Sequence, residues 1–358
     1  MIIEPVILGE NRRTTLTPRV LVVVLNWNRY LDTAACVESL LALDYPAADF
    51  LVCDNDSADF EDLYGALSEE CADGPYARRR TISVIGRTSA EAGGPDDDET
   101  AVLRLVRTGG NLGYAGGNNV AMRYALKRGG YDYVWLLNND TVVAPDALNH
   151  MVDLMQRDRM LGITGSTHFQ FASPKVKLSL GGGPFNKWLG IDTPYKKFPE
   201  SPVERIDVDH VLGASMLVRM EAIRDVGLMD ERYFLFREET DWCFRMREAG
   251  WTLTTALLSS IWHRLGGTIV HRSPVHDYYS TRNMLLLTQR FSPRTLPTVA
   301  AYTLVRAVLP KLLRGQFGRI PHVLRAYRDF FAGVTGYVDL FPSDETAAKT
   351  VGNTVAGA

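Results

Sequence analysis

The chain has 358 residues, 46% of them hydrophobic and 23% charged, with a formal net charge of −3. That composition excludes long disorder, and the length suffices for one large domain or two modest ones. No run of about 18 apolar residues suggests a transmembrane helix. The first apolar run, Val20 to Leu25, is too short and too soon followed by polar residues to read as a secretory signal. The four cysteines, Cys36, Cys53, Cys71 and Cys243, lack paired spacing, which reads as buried free thiols in a reducing cytoplasm and not as a zinc site.

In chain order, residues 1–17 form a loose lead-in. RVLVVVLNW reads as a buried strand, and DTAACVESLLAL as a helix with Asp32 as its N-cap. DFLVCDND is a second strand that ends in acids and amides. Residues 87–100, RTSAEAGGPDDDET, are Gly-rich and acidic and suggest a solvated surface insertion. AVLRLVR is the third strand, Gly116 to Arg128 a helix closed by Gly129-Gly130, and YVWLL the fourth strand. Residues 165–210 suggest loops with short strands, and DVDHVLGASMLVRMEAIRDVGLMD returns to strand and then helix. After His271 come basic helices broken by Pro293, Pro297, Pro310 and Pro321, and 336–358 is a flexible tail. Alternating strands and helices predict an α/β fold with a mainly parallel central sheet flanked by helices.

In such sheets, ligands gather at the carboxyl ends of the strands. Asn26-Trp27-Asn28, Asp54-Asn55-Asp56-Ser57, Asn111-Leu112-Gly113 and Asn138-Asn139-Asp140 each follow a strand, so four strand ends share one chemistry and predict one pocket. Asp54 is suited to accept a hydrogen bond from the N–H of a pyrimidine base, or else to close a turn before Ser57. GGNLGYAGGNN offers small residues whose backbone N–H groups can approach a phosphate, with Asn118 and Asn119 as added donors. Its glycines do not fit G-x-G-x-x-G. Asp140 is a hard oxygen ligand for a divalent cation, or a turn residue.

FLFREETDWCFRMREAG predicts a helix from about Glu238 to Ala249 that puts Glu239, Trp242, Cys243, Met246 and Ala249 on one face. A carboxylate heading that apolar stripe is desolvated, and its proton affinity rises toward that of a general base. Asp241 faces Arg245 one turn on and reads as structural, while Glu238 is ambiguous. His263 follows a short apolar strand and is either a metal or phosphate partner or simply packed.

Taken in order, VVVLNWN, DNDSAD, NLGYAGGNN, LLNND, GASMLVRMEAIRDVGLMDERYF, EETDWCFR and HRLGGT resemble the family 2 glycosyltransferases of GT-A fold, nearest to the bacterial rhamnosyltransferase-like branch. The resemblance covers about residues 18–270. It implies inverting transfer from a nucleotide-diphospho-sugar. Asp54 would contact the base, with Asn26, Asn28 and Asn55 around it, and Gly113, Tyr114, Gly116, Gly117 and Asn118 would lie along the donor. Asp140 would be the last acid of D-x-D and bind Mg²⁺ or Mn²⁺, with Asn138 and Asn139 beside it and His263 completing the site. Glu239 falls where the family has its catalytic Asp, with Glu238 and Asp241 as secondary candidates. The chain departs from the pattern at Asn138, which replaces the first acid of D-x-D, at Glu239 in place of Asp, and at Thr268 in place of Ser. The implied organisation is a nucleotide-sugar-binding half over 18–140, an acceptor-binding and catalytic half over 141–270, and a basic helical region over 271–335.

The pattern favours dTDP-L-rhamnose as donor. UDP-sugars for galactofuranosyl or hexosyl transfer, or a silent nucleotide-sugar-binding scaffold, are the alternatives. The acceptor is a glycan or lipid-linked saccharide, with Trp188 as a stacking surface or a mere packed aromatic. From Tyr278 to Arg328 the chain has no acid and nine basic residues, which suits an anionic membrane face or a lipid-diphosphate acceptor. A solvated appendage or a subunit contact is the alternative, and no nucleic-acid motif accompanies the charge. The expected setting is cytoplasmic, peripheral on the inner face of the cell membrane, in polysaccharide and cell-wall synthesis.

Overall fold

The computed structural model describes residues 17–72, 82–95, 103–201, 203–264 and 273–341. Val20–Asn26 (β1) is almost continuously apolar because both faces of the strand are covered by helices. Tyr30–Leu41 (α1), Ala48–Asp54 (β2), Phe60–Ala72 (α2), Ile82–Gly86 (β3), Arg87–Glu91 (α3), Leu103–Arg107 (β4), Gly113–Arg128 (α4) and Tyr133–Asn138 (β5) complete a parallel half-sheet. The second half follows as Thr141–Val143 (β6), Ala147–Arg157 (α5), Leu161–Gln170 (β7), Ser173–Ser179 (β8), Gly182–Gly183 (β9), Phe185–Asn186 (β10), Ile191–Asp192 (β11), Arg205–Asp207 (β12), His210–Val211 (β13), Ser215–Arg219 (β14), Met220–Val226 (α6), Glu238–Glu248 (α7) and Thr252–His263 (β15). Pro274–Phe291 (α8), Leu296–Leu313 (α9) and Ile320–Phe331 (α10) end the described chain.

The main sheet runs β12-β15-β7-β14-β5-β1-β2-β4-β3, parallel from β5 to β3, with β14 antiparallel between β5 and β7. Register places Asn26 level with Asp54, and Leu25 level with Asn138. The polar strand ends therefore share one edge. One core packs α1, α2 and α5 on one face of the sheet, and a second packs α4, α6 and α7 on the other.

Several expectations change. α4 starts at Gly113, three residues early, so the glycine-rich stretch is the first helical turns and not a loop. Residues 87–91 of the supposed insertion form α3, whose Ala90 is buried; residues 96–100 lie outside the described residues. β3 was not anticipated, so AVLRLVR supplies the fourth strand. The 165–210 region opens within the ten-residue β7 and contains the seven-residue β8 in addition to short strands. Asp32 sits inside the first turn of α1, paired with Arg29 and Arg264, and does not cap it. Pro297 and Pro321 lie in the opening turns of α9 and α10, where proline fits, and Pro310 lies within α9.

The basic end also differs. Asp277 and Asp329, just outside the acid-free run, pair with Lys311 and Arg319 and with Arg325 and Arg328. Arg290 pairs with Asp230 and Asp241, and Arg282 is wholly buried. Arg294, Arg306 and Arg314 are exposed and have no acidic partner among the described residues. By length and composition the segment Pro293–Leu313 could cross a membrane, with mean hydropathy 1.3 and only 11% of it buried, where the sequence had suggested no such helix. The tail expected from 336 begins as packed chain: Leu340 is buried, and the Val338 carbonyl accepts a hydrogen bond from Tyr279. Residues 342–358, Thr268 and the lead-in through 16 lie outside the described residues.

Candidate active site

The polar ends of β1, β2 and β5 interlock. Asn26 Nδ2 donates to Asp54 Oδ1 and to Ser57 Oγ, both at 2.9 Å. Asn26 Oδ1 accepts from Thr33 (2.7 Å) and from Asn139 Nδ2 (3.2 Å). Asn26, Asp54 and Asn139 are buried, so their hydrogen-bonding groups must be satisfied internally. Asn28 takes a left-handed turn at φ 53° and accepts the Ala58 N–H on its side chain. Asn55 donates to the Gly113 carbonyl (3.1 Å) and accepts from the Leu112 N–H (3.0 Å), which anchors the start of α4.

The glycines of α4 make room for neighbours. A side chain at Gly113, at φ +71°, would lie 2.2 Å from the Phe234 carbonyl oxygen. One at Gly116 would meet Leu112, and one at Gly117 would meet Leu25. Asn119 binds the Met229 backbone and Glu231 and ties α4 to the chain before α7. Asn118 donates back to Tyr114, while its buried carbonyl oxygen has no partner among the described residues.

At the next strand ends, His263 Nε2 lies 3.0 Å from Asp140 Oδ1, although the two residues are 123 positions apart. β15 pairs with β6 so that His263 faces Thr141, directly after Asp140. The Arg264 N–H donates to the Asp140 carbonyl (2.8 Å). Behind them His168 stands edge-on to the His263 ring, and burial first, then His263, drives its pKa down to about 3. Asn139 turns inward to Asn26 and Thr33, and the Asn138 carbonyl accepts from Thr141. The described residues contain no group of three His, Cys, Asp or Glu placed to hold a metal. A carboxylate and an imidazole do form a two-ligand edge that fits a divalent ion sharing oxygens with a diphosphate.

The third part of the site is the entry to α7. Phe234, Phe236 and Arg237 all have positive φ, at 63°, 66° and 79°, which costs a non-glycine residue about 1–2 kcal/mol each. Such strain is typical where backbone geometry serves a site. Glu238 is buried, with Oε2 unpartnered among the described residues, whereas Glu239 is half-buried. The more enclosed of the two carboxylates is thus Glu238, not Glu239 as the helical face had suggested. Burial raises the proton affinity of both; the neighbouring Glu239 adds to that of Glu238, and Arg237 opposes the rise at Glu239. Tyr114 donates to the Gly213 carbonyl (2.6 Å), and a side chain at Gly213 would touch both Tyr114 and Glu239. Burial, reinforced by Glu239, pushes the Tyr114 pKa well up.

Asp241 is structural: fully buried, it binds Arg245, Tyr233 and Arg290. Trp188 is 60% exposed at the turn between β10 and β11, and the Lys187 carbonyl beside it accepts from Thr295 at the head of α9. Sequence reasoning assigned no role to Asp192, Arg237 or Arg264. Arg237 donates to Asp192 at 2.7 Å; burial would raise that carboxyl, but Arg237 holds it below the usual range. Arg264 sits within HRLGGT beside His263, and that adjacency was its available signal.

A family model for "Glycosyltransferase like family 2" matches residues 18–274. Among curated proteins, N-acetylglucosaminyl-diphospho-decaprenol L-rhamnosyltransferase of Mycobacterium tuberculosis is 30% identical over 203 residues, 49% of this chain and 64% of that protein. The low-salt glycan biosynthesis hexosyltransferase Agl10 of Haloferax volcanii is 27% identical over 157 residues, 40% of this chain and 46% of the relative. The chain thus spans less than two thirds of either relative. Among solved structures, the mannosyltransferase PcManGT from Pyrobaculum calidifontis, in complex with GDP-Man and Mn²⁺, aligns with TM-score 0.52 at 14% identity over 88% of both chains. TarS 1-349 of S. aureus with UDP-GlcNAc gives 0.53 at 13% identity over 88% of this chain and 81% of that one. The fold is GT-A.

Proposed function

The chain belongs to glycosyltransferase family 2, and we propose that it is an inverting, metal-dependent transferase that moves a sugar from a nucleotide-diphospho-sugar to a hydroxyl of a glycan or lipid-linked saccharide. The observation that carries this reading is the Asp140–His263 contact, made by two distant strand ends beside the interlocked ends of β1, β2 and β5. dTDP-L-rhamnose is the favoured donor, supported by the mycobacterial relative whose name specifies L-rhamnosyl transfer to a diphospho-decaprenol-linked sugar. A UDP-hexose is the second choice, supported by the hexosyltransferase relative.

In this reading Asp54, with Asn26, Asn28 and Asn55 fixing its surroundings, holds the nucleobase. Tyr114 and the first turn of α4 line the donor. Asp140 and His263 hold Mg²⁺ or Mn²⁺, which would offset negative charge on the departing diphosphate. Glu239 accepts the proton of the acceptor hydroxyl, and its raised proton affinity suits that task. The acceptor approaches by the β10–β11 hairpin, where Trp188 offers an aromatic face. The protein sits against an anionic membrane through the exposed side of α9 and its turn into α10, where Leu309, Leu313 and Phe317 lie near Arg306 and Arg314.

A calorimetric screen of dTDP-, UDP- and GDP-sugars with and without Mn²⁺ tests donor and metal together; absence of binding by every one refutes the reading. Comparing donor turnover in the parent and in Glu239→Gln tests the base, and equal rates reject that assignment.

A further inference from the structure

Three left-handed, non-glycine residues in the four before α7 cannot hold themselves in place. The restraint comes from α8. Asn283 is wholly buried, and its side-chain amide donates to three carbonyls of that one segment: Tyr233 at 2.8 Å, Leu235 at 2.6 Å and Phe236 at 2.9 Å. With two amide hydrogens for three acceptors, at least one bond is shared. The amide is oriented by Arg282, whose Nε donates to Asn283 Oδ1 at 2.9 Å. Arg282 is itself fully buried, its guanidinium 5.3 and 4.9 Å from the Tyr278 and Tyr279 ring centres, and also donates to the Tyr233 carbonyl (3.1 Å) and the Gly336 carbonyl (2.9 Å).

Docking α8 against the domain needs only apolar packing, and that is already supplied by Tyr278 and Tyr279 against Phe234 and by Met284 and Leu287 against Tyr233. A buried cation and a buried amide aimed at the carbonyls of one short segment do something further: they fix its path. That path leads directly into Glu238 and Glu239. It also holds the Phe234 carbonyl, which accepts the Tyr114 N–H at 2.8 Å and so touches the donor side.

We propose that Asn283, oriented by Arg282, is a positioning residue for the reaction, and that the C-terminal helix α8 sets where Glu239 stands relative to the donor. The proposal rests on Glu239 being the base. It gives the C-terminal helices a role inside the active site, distinct from any surface they present to a membrane.

The test compares full-length Asn283→Ala and Asn283→Asp with Val323→Ala, a wholly buried position of α10 outside the clusters around Phe234 and Tyr233. Hydrogen exchange is read on peptides covering 233–241 and 113–116. Binding of UDP and dTDP with Mn²⁺ is measured by calorimetry, and kcat and KM with whichever screened sugar nucleotide the parent consumes. Asn283→Ala is expected to speed exchange in both peptides and lower kcat about 10- to 100-fold, with nucleotide affinity and donor KM within about twofold. Asn283→Asp is expected to be worse, because a carboxylate facing three carbonyls cannot donate. Val323→Ala should lower the melting temperature without either effect. Exchange and kinetics in Asn283→Ala that match those of Val323→Ala overturn the proposal. Full turnover in Glu239→Gln would reject the base separately, leaving the exchange data to judge the restraint on the loop.

Discussion

Replacing Gly113 with alanine separates two roles a glycine can have here. The new Cβ would stand 2.2 Å from the Phe234 carbonyl oxygen, 2.5 Å from its Cδ2 and 2.8 Å from its carbonyl carbon. None of these can swing aside as a flexible side-chain end would, because the Phe234 carbonyl is engaged by Tyr114 and the segment is held by Asn283. The backbone at φ +71° adds a left-handed cost of about 1–2 kcal/mol, and the overpacking adds about 1–3 kcal/mol. The sum, roughly 2–5 kcal/mol, is a large fraction of the 5–15 kcal/mol that holds a typical domain. For a chain of this length it corresponds to a fall in Tm of roughly 3–7 °C. Gly109 is the internal control: its φ is +73°, but nothing lies within 4 Å of the added atom. Gly109→Ala should therefore cost only the backbone term, about 1–2 kcal/mol. Chemical denaturation of both variants, with donor turnover alongside, provides the assay. Equal stability losses in the two would refute the claim that contact with Phe234 defines Gly113, and an unchanged turnover in a destabilised Gly113→Ala would sever it from the active site.

Other outcomes follow from the same geometry. A carboxyl whose folded pKa lies above its unfolded value loses stability as pH rises from the unfolded value through the folded one, so Glu239→Gln should gain stability over the parent as pH rises above the ordinary glutamate value of about 4.3; a pH-independent difference above that value contradicts the burial argument. For the same reason kcat/KM in the parent should fall on the acid side with an inflection above the ordinary glutamate value of about 4.3, and a profile flat down to that pH would exclude Glu239 as base. Asp140→Asn should lower Mn²⁺-dependent nucleotide affinity about 10-fold or more while leaving metal-free binding intact, since Asn138 already supplies a neutral group; unaltered Mn²⁺ dependence by calorimetry rejects Asp140 as ligand. Leu313→Glu with Phe317→Glu should reduce sedimentation with anionic liposomes without a change in Tm, because both side chains are exposed, at 79% and 62%; undiminished sedimentation removes this face from the membrane reading.

The strand ends were legible because an apolar run that breaks into Asn, Asp and Ser marks both the end of a strand and the start of a polar pocket. The same signal puts Asp54, Asn26 and Asp140 on one edge of the sheet. α4 was read as starting late because three glycines in its first five residues disfavour a helix, yet close packing against Phe234, Leu112 and Leu25 requires them. β3 was missed because a short, half-exposed edge strand carries little apolar pattern. The charge of the basic end is partly offset for a local reason: Asp277 and Asp329, which neutralise four of its cations, lie one residue beyond either end of the acid-free window. Arg282 and Asn283 gave no signal, since their partners are backbone carbonyls some fifty residues away.

The contact of Arg282 with the Gly336 carbonyl, together with the Gly336 N–H donated to Arg232 (2.6 Å), orders events in the life of the chain. As the polypeptide leaves the ribosome, the parallel strands β1 to β5 are complete by residue 140, and the segment bearing Glu239 by residue 250. The Asn283 bonds to that segment become available with residue 283, and the Gly336 contacts with Arg282 and Arg232 are added last. A chain clipped before residue 336 thus keeps the parallel strands and the Asn283 bonds while losing the outer anchors on the segment that leads into α7.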